Sequence, residues 1–312
     1  MDQTPEQLIA ELGRRARAAA GVLAGLPTTR KAEGLRAAAA AMRAQADAIL
    51  AANARDVAAG ETNGLSGAML DRLRLDPARL EGAAAGVEAV AALSDPVGEV
   101  ISASERPNGL KLSRVRVPIG VIGIIYESRP NVTADAAALC VMSGNAAILR
   151  GGSEAAHSNR AIHAAFAAGL AQAGLPADAV QLVPVTDRAA VGAMLRAEGA
   201  IDMVVPRGGK SLVARVQEEA RVPVLAHLDG INHTYIDGAA DPAMALDLAV
   251  NAKLRRTGIC GATETLLIDR AYANPAPILA ALIDRGCEVR GDSDIRAIDS
   301  RVIAANAEDW DT

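Results

Sequence analysis

One cysteine stands in a setting that suits nucleophilic chemistry. Cys260 lies in the stretch 255–261, RRTGICG, with glycines at positions 258 and 261 on either side of it. Glycines allow a close approach by the backbone and leave amide N–H groups free to face a developing oxyanion. A reactive thiol also needs a lowered pKa, and Arg255 and Arg256 carry the charges that could lower it. A buried structural cysteine remains the alternative, because free cysteines are among the most buried residues.

Two glycine pairs follow predicted strands and could bind phosphate. One pair lies in 207–211, RGGKS, and the other lies in 150–152, RGG. Backbone amides at the start of a helix can hold a phosphate or a dinucleotide. A P-loop would need a glycine where Val204 stands, and no GxGxxG motif follows a predicted strand. Neither an NTPase nor an ordinary Rossmann dehydrogenase is therefore supported, and a plain tight turn stays open for both pairs.

Charge, hydropathy and cysteine spacing exclude several classes of protein. The net charge is -5 and the chain has no run of basic residues, which argues against a nucleic-acid partner. No uncharged apolar run reaches the length of about 18 residues that a membrane helix needs. The three cysteines have no CxxC spacing, so we expect no disulfide framework, no metal site and a cytoplasmic location. These cysteines are Cys140, Cys260 and Cys287.

Two histidines near the middle of the chain leave an acid or base role open. His227 and His233 flank Asp229 in the stretch 226–233, AHLDGINH. A histidine titrates near neutral pH and can therefore transfer protons in catalysis. The spacing alone does not decide between this role and an ordinary surface position.

Hydrophobic patterning predicts that an α/β framework carries these residues. Residues 5 to 95 are rich in alanine, with apolar residues at helical intervals, and they predict several amphipathic helices. The continuous apolar run 119–125 predicts a strand that is buried on both faces of a parallel sheet. Further strands at 146–149, 180–185 and 201–205 alternate with helices, which predicts a doubly wound parallel sheet. The helices are predicted at 132–143, 154–173 and 188–198, with another starting near 208.

A second α/β domain and a hairpin complete the predicted architecture. Strands are predicted at 222–225, 234–236 and 263–268, with helices at 242–255 and 277–285, and the domain boundary is expected near 226–233. Apolar residues alternate with polar ones before Pro118, which predicts a half-exposed hairpin or strand pair. The alternating residues are Leu110, Leu112, Val115 and Val117.

Four stretches, taken in order, resemble the γ-glutamyl phosphate reductases of the aldehyde dehydrogenase superfamily. They are 118–133, 145–152, 205–209 and the Cys260 loop that runs into 264–267. The resemblance covers essentially the whole chain. It implies an aldehyde dehydrogenase-like fold. The family also continues past the position of Thr312, so we expect a C-terminally truncated chain that is weakly active or inactive.

The resemblance also implies a division into domains. It predicts an NADP-binding domain formed by 1–104 and 119–228. A small β-hairpin at 105–118 would serve in oligomerisation. The remaining residues, 229–312, would form an incomplete catalytic domain.

The resemblance implies a reaction and a cofactor. Cys260 falls at the position of the superfamily's nucleophile, and would attack L-glutamyl 5-phosphate to form a thioester that NADPH reduces. Arg150 falls where relatives contact the cofactor ribose, and an arginine could pair with the 2′-phosphate of NADPH. Gly151, Gly208 and Gly209 fall on glycine turns that line the cofactor.

Three residues after the first strand are implied to help with the substrate. Ser128 and Asn131 lie near the oxyanion-holding position of relatives, and the choice between them stays open. Arg129 could clamp a phosphate or carboxylate, or could form a structural ion pair. The stretch 226–233 has no glutamate that could activate water, as suits a reductase whose thioester must not be hydrolysed.

Partners and alternatives follow from the same resemblance. We expect a homo-oligomer at full length, and the kinase that makes the substrate is a candidate partner. One alternative is another oxidoreductase of the superfamily. The other is a catalytically silent fragment that only binds cofactor or a partner chain.

Overall fold

The computed structural model describes residues 3–227, 230–257 and 259–310, and does not describe the side chains of Ala68 and Lys210. It divides into two compact units, Met1–His227 and Leu228–Thr312, called unit 1 and unit 2 below. Among the described helices, none is long and apolar enough to cross a membrane. The functional roles expected for the domains stay predictions.

Unit 1 begins with the helices that the alanine-rich pattern predicts. The first of them starts at a capping box, in which the Thr4 hydroxyl accepts from the Gln7 N–H and the Gln7 side chain accepts from the Thr4 N–H. Pro27 stands just before the second helix, where its missing N–H costs nothing. The five helices are α1 Pro5–Ala24, α2 Thr28–Ala44, α3 Ala46–Thr62, α4 Gly67–Leu73 and α5 Pro77–Ala91.

A four-stranded parallel sheet forms the centre of unit 1. Its strands are β3 Val121–Tyr126, β4 Ala146–Arg150, β5 Val180–Leu182 and β6 Met203–Arg207, in the order β5-β4-β3-β6. Every residue of β3 and β4 is buried, as the continuous apolar runs predict. From β3 the chain adds β4 and β5 on one side and then β6 on the other side. Ligands of such sheets bind at the carboxyl ends of the strands where the order switches sides, here between β3 and β6. The predicted fold class is confirmed.

Helices cover both faces of this sheet. They are α6 Asn131–Met142, α7 Ala156–Gln172, α8 Arg188–Leu195 and α9 Lys210–Glu219. One core packs α2, α5, α6 and α7 against one face of the sheet, and a second packs α1, α8 and α9 against the other. The two cores fix the strand ends that carry the glycine pairs.

Two close contacts join α2 to α7 and to the segment that follows α5. A Cβ on Gly169 of α7 would lie 2.4 Å from the Cα of Ala38 in α2, so only glycine permits this crossing. The Lys31 ammonium, fully buried in α2, lies 2.5 Å from Oδ2 of Asp95 and makes no other polar contact within the described residues. The Thr28 hydroxyl and the Val97 N–H also donate to the Asp95 carboxylate.

The predicted hairpin is present but begins earlier than expected. Strand β1 Val100–Glu105 pairs antiparallel with β2 Lys111–Val115, so the first strand lies mostly upstream of the range 105–118. All residues of both strands are exposed, whereas the alternation indicated a half-exposed pair. Apolar residues point outward here without a covering layer in this chain, a state that alternation alone does not reveal.

The strand predicted at 222–225 is reduced to a single bridge. Val224 bridges Val204 in parallel, where the Val204 N–H donates to the Pro223 carbonyl and the Leu225 N–H donates back to Val204. Pro223 has no N–H to contribute to a ladder, which is why the pairing stays short. The segment therefore lies beside β6 in unit 1.

Unit 2 is built on two parallel strands. Strands β7 His233–Ile236 and β8 Thr265–Ile268 pair in register, and helices α10 Pro242–Leu254 and α11 Ala276–Asp284 pack beside them. A second short pair follows, formed by β9 Arg290–Gly291 and β10 Ile303–Ala304, with α12 Ser293–Ile298 between them. The predicted strands and helices of this region are confirmed, with bounds that differ by up to two residues.

Candidate active site

Cys260 lies on an exposed turn between α10 and β8 of unit 2. Both flanking segments are fixed. The Thr263 N–H donates to the Ala252 carbonyl of α10, and the Ala262 N–H donates to the Ile259 carbonyl. A thiol on such a turn can reach a substrate from solvent, so the buried alternative for Cys260 is wrong.

The side chain of Asn232, which lies just before β7, holds this turn in place. Its Nδ2 lies within hydrogen-bond distance of the carbonyl oxygens of Cys260, Ala262 and Gly230, at 3.1 Å for Ala262 and 3.2 Å for Gly230. A Cβ on Gly230 would lie 2.9 Å from the Cys260 carbonyl oxygen, so the two backbones meet closely. The amide therefore ties the carbonyl groups of the turn to the start of β7.

The contacts with Asn232 use carbonyl oxygens of the turn and not its backbone N–H groups. Within residues 230–257 and 259–310, neither the Cys260 N–H nor the Gly261 N–H donates a hydrogen bond. A Cβ on Gly261 would meet nothing within 4 Å, so this glycine faces open space. Two unpaired N–H groups beside a thiol are what an oxyanion would need. Gly258, the other flanking glycine, lies outside the described residues.

The charged groups near the turn are exposed or engaged elsewhere. Arg255 and Arg256 are both exposed at the end of α10, so water screens their effect on the thiol. His233 uses Nδ1 for a 2.8 Å contact with the Ile231 carbonyl. His227 is exposed in unit 1, and Asp229, which the two histidines flank, lies outside the described residues. The acid or base role of this group remains a hypothesis.

A wide cleft lies elsewhere in unit 2. It has about 1600 Å³ of empty space, and its floor is formed by apolar residues of β8 and α11. Lys253 and Glu264 line it and lie 3.8 Å apart, and Trp310 lies at its rim. Cys260 does not line this cleft, so its large volume says nothing about the thiol.

In unit 1 the glycine pair of 207–211 lies at the carboxyl end of β6, beside the end of β3. The Gly209 N–H donates to Oε2 of Glu127 at 3.0 Å, and a Cβ on Gly208 would lie 2.6 Å from the Glu127 carboxyl carbon. Gly209 is also the N-cap of α9. The pair thus forms a close-packed helix start at the edge where doubly wound sheets bind ligands.

The glycine pair after β4 packs over a buried polar network. A Cβ on Gly151 would lie 2.1 Å from Nδ2 of Asn159, so this glycine is required by the contact. Below it, the Thr133 hydroxyl donates to Oδ1 of the Asn159 side chain at 3.1 Å and lies 2.8 Å from the Tyr126 hydroxyl. Burial raises the pKa of Tyr126 far above its usual range, so the phenol stays protonated.

Arg150 is buried at the end of β4, with 9% of its surface exposed. Its Nη1 donates to the Gly151 carbonyl at 3.0 Å and its Nη2 donates to the Thr186 carbonyl at 2.7 Å. Its Nε has no partner within the described residues. Burial lowers the pKa of Arg150, and the nearby guanidinium groups of Arg188 and Arg215 lower it further, against the opposing charge of Glu154.

The three residues expected near the oxyanion lie just after β3 in unit 1. Ser128 is buried, and its hydroxyl donates to Oε2 of Glu154 at 3.4 Å. Asn131 is the first residue of α6 and donates from Nδ2 to the Asp135 carboxylate at 3.0 Å. Arg129 is half-buried. The structure brings these residues together at one strand end, and their catalytic roles remain predictions.

Sequence analysis missed three residues of these sites. Asn232 and Glu127 act through contacts with residues 28 and 82 positions away in the chain, which no local pattern reveals. Arg188 follows Asp187, the N-cap of α8, and a lone arginine at a helix start after a strand is a signal that could have been noticed. Its interest as a binding residue depends on its position near Arg150, which the sequence does not show.

Comparisons with known proteins agree with the fold and with the motifs. The model of the aldehyde dehydrogenase family matches residues 2–293. Gamma-glutamyl phosphate reductase of Rhizorhabdus wittichii is 73% identical over 304 residues, which cover 97% of this chain and 71% of that protein. The reductase of Sphingopyxis alaskensis is 74% identical over 305 residues, which cover 98% of this chain and 71% of that protein.

Solved structures give the same result. The crystal structure of gamma-glutamyl phosphate reductase from Thermotoga maritima matches with a TM-score of 0.89 at 38% identity, covering 97% of this chain and 74% of that chain. An acetylating aldehyde dehydrogenase from Geobacillus thermoglucosidasius matches with a TM-score of 0.62 at 16% identity, covering 94% of this chain and 61% of that chain, which shows the shared fold alone. The chain therefore belongs to the aldehyde dehydrogenase family and, within it, to the gamma-glutamyl phosphate reductases.

Proposed function

We propose that this chain catalyses the NADPH-dependent reduction of L-glutamyl 5-phosphate to L-glutamate 5-semialdehyde and phosphate, a step of proline synthesis, with Cys260 as the nucleophile. The names of its relatives support the substrate. The observation that carries the chemistry is the exposed Cys260 turn, whose carbonyls are held by Asn232 while the Cys260 and Gly261 N–H groups donate to no other described residue.

The turn suits acyl transfer. The Cys260 thiolate attacks the acyl carbon of the substrate, and the carbonyl oxygen of that carbon becomes an oxyanion that the Cys260 and Gly261 N–H groups can stabilise. The oxyanion collapses, the bond from carbon to the phosphate oxygen breaks, and phosphate leaves. The product of this step is a thioester on Cys260, and the cysteine sulfur is released again as thiolate once the acyl group has been reduced to an aldehyde.

The edge of the unit 1 sheet fits a dinucleotide. A Cβ on Gly151 would meet the buried Asn159 side chain, a Cβ on Gly208 would displace the ends of the Glu127 and Leu212 side chains, and Gly209 starts a helix at the carboxyl end of β6. Together with Arg150, these residues would hold NADPH. When bound, NADPH supplies the two electrons that reduce the thioester. The Glu127 carboxylate suits a ribose hydroxyl of the cofactor rather than a phosphate, because like charges repel.

Other residues of the proposal act on the substrate side. Either Ser128 or Asn131 would add a further donor to the oxyanion, and Arg129 would bind the phosphate or the α-carboxylate of the substrate. The stretch 226–233 lacks a glutamate. This stretch therefore offers no glutamate to activate water against the thioester, which favours reduction over hydrolysis.

The test is to trap the acyl group on its residue. The chain is incubated with L-glutamyl phosphate generated in situ without NADPH, and the modified cysteine is identified by mass spectrometry of its peptides. We expect a glutamyl adduct on Cys260 that hydroxylamine removes, and we expect no adduct in Cys260→Ala. Cys287→Ala is the matched control, since Cys287 is half-buried in the same unit and should leave the adduct intact.

NADPH oxidation is then measured on the same variants. Cys260→Ala should lower the rate of the parent chain to the background level, because the covalent route is lost. A Cys260→Ala variant that retains a parent rate above background, or an adduct on another cysteine, would rule out the proposed nucleophile.

A further inference from the structure

Arg188 is a cation at the start of a helix that pairs with no other described side chain of unit 1. It is the first residue of α8 and is exposed, and it forms no ion pair or side-chain hydrogen bond within residues 3–227. The neighbouring Asp187 is committed elsewhere, because its carboxylate caps α8 by accepting from the Ala189 N–H at 2.8 Å. The helix dipole disfavours a positive charge at this end and favours an anion there.

A second cation, Arg150, contacts the loop that leads from β5 to Arg188. Arg150 donates from Nη2 to the carbonyl of Thr186, two residues before Arg188, and its Nε has no partner within the described part of unit 1. The other charged groups close to Arg150 are Arg215 and Glu154. Arg215 is engaged by Glu219 at 2.7 Å, so it contributes little free charge. The Glu154 carboxylate offsets part of the charge of Arg150, whereas Arg188 has no counter-charge within the described residues, so a bound anion would stabilise these two like charges.

The loop borders a small pocket at the carboxyl ends of β4 and β5. Gly151, Gly152, Asn159 and Thr186 are among the residues that line it, and it is small and open to solvent. The same glycine pair belongs to the edge that we propose for the cofactor. Arg188 therefore stands two residues from the wall of a pocket that would receive part of a dinucleotide.

We infer that Arg188 binds the 2′-phosphate of NADPH and sets the preference of this chain for NADPH over NADH, while Arg150 acts as a positioning residue. This inference rests on the proposed function. An exposed guanidinium offers up to five N–H donors in a planar fork that matches phosphate oxygens. The 2′-phosphate is the group that distinguishes the two cofactors, so a cation reserved for it changes the affinity for one of them only.

The burial of Arg150 supports this division of roles. Both of its Nη atoms donate to backbone carbonyls, of Gly151 and Thr186, and little of its surface reaches solvent. Because little of the side chain is exposed, moving the guanidinium outward to a phosphate would break both of these bonds. Arg150 instead ties the loop after β4 to the loop after β5, which fixes the place from which Arg188 extends.

The test is to measure dissociation constants of NADPH and NADH by the change in cofactor fluorescence on binding. In Arg188→Gln the constant for NADPH should rise about 10–100-fold, the usual loss for a charge-assisted contact, and the constant for NADH should change less than about twofold. Arg188→Lys should keep part of the discrimination. Arg160→Gln is the matched control, because Arg160 lines the same pocket but donates to the Pro184 carbonyl; it should leave the ratio of the two constants unchanged.

Arg150→Gln tests the positioning role. It should lower the melting temperature and raise the dissociation constants of NADPH and NADH by similar factors. An Arg188→Gln variant that weakens both cofactors equally, or neither, would overturn the assignment of Arg188 while leaving Cys260 chemistry intact. A parent chain that binds neither dinucleotide would overturn both this inference and the proposed cofactor site.

Discussion

The two units hold their candidate sites by different means. In unit 1, β3 and β4 are buried along their whole length between two large cores. In unit 2, Ile236 is the one buried residue of β7 and β8, and the core contains six buried residues. The glycine turns at the unit 1 edge are set by packing, as the short distances at Gly151 and Gly208 show. The Cys260 turn is set by hydrogen bonds, those of the Asn232 amide and those of the Ala262 and Thr263 N–H groups.

This difference indicates where substitutions should affect stability and where they should affect reactivity. Packing defects in unit 1 should lower the free energy of unfolding strongly. Loss of a polar contact at the Cys260 turn should change chemistry more than stability, because the turn is exposed and water can replace the lost bonds. Each prediction below can contradict or refine this contrast.

Lys31→Met should give the largest loss of stability. It leaves the Asp95 carboxylate, 8% exposed, without its cation, and breaking a buried pair costs about 3–5 kcal/mol. The free energy of unfolding is measured by urea denaturation at neutral pH. In the double variant Lys31→Met, Asp95→Asn most of the loss should be recovered, since no buried charge is left. A loss below about 1 kcal/mol in the single variant would contradict the contrast.

The same pair predicts a dependence of stability on pH. Burial raises the pKa of Asp95, but the Lys31 ammonium, the Val97 N–H and the Thr28 hydroxyl outweigh it, so the pKa lies below its usual range. The stabilisation is therefore present above the unfolded pKa of about 3.9 and is lost as the pH falls through the folded value. Denaturation curves recorded from pH 6 downwards, an interval of about two units above that value, should show the parent chain losing stability that Asp95→Asn does not lose.

Gly169→Ala should give the next largest loss. The new methyl group would lie within 2.6 Å of three backbone atoms of α2, and backbone cannot move aside as a side chain can. Overpacking of this kind costs about 1–3 kcal/mol. Gly82→Ala is the matched control, since Gly82 lies inside α5 with nothing within 4 Å of the added Cβ. It should raise stability by about 0.5–1 kcal/mol, so equal effects of the two variants would show that the crossing is not tight.

Asn232→Ala should have the smallest effect on stability. We expect the free energy of unfolding to fall by less than about 1.5 kcal/mol, because the turn is exposed and water can replace the hydrogen bonds that the amide makes. The rate of Cys260 acylation should nevertheless fall about tenfold or more, since the N–H groups of the turn are no longer held for the oxyanion. Acylation is followed by mass spectrometry on the parent chain, Asn232→Ala and Asn232→Asp. An unchanged rate with a large loss of stability would reverse the assignment of roles.

Much of the fold could be predicted from the sequence because its signals are local. The apolar run 119–125 predicts a buried strand, and the helical spacing of the first 95 residues predicts helices. Both predictions depend on short stretches of sequence, and both were confirmed. The strand at 222–225 could not be predicted correctly. Whether Pro223 interrupts a ladder depends on which strand lies beside it, which is a tertiary fact.

The site divides in the same way. The motif around Cys260 carries its own signal, two close glycines and a cysteine. The role of Asn232 depends on three carbonyl oxygens, two of them about 30 residues away. Likewise, the burial of Arg150 decides whether its guanidinium can leave the backbone, and no pattern of neighbouring residues encodes that burial. Long-range hydrogen bonds are thus the part of the site that sequence reasoning omits.

The rim of the unit 2 cleft has a practical consequence. Trp310 is the one tryptophan in the 312-residue sequence, and it is about half exposed. Tryptophan emission from this protein is therefore a spectroscopic signal of unit 2 alone, without a background from the helices and sheet of unit 1. Loosening of the cleft should be visible as a red shift of that emission, so the chain carries a built-in optical reporter for the unit that bears Cys260.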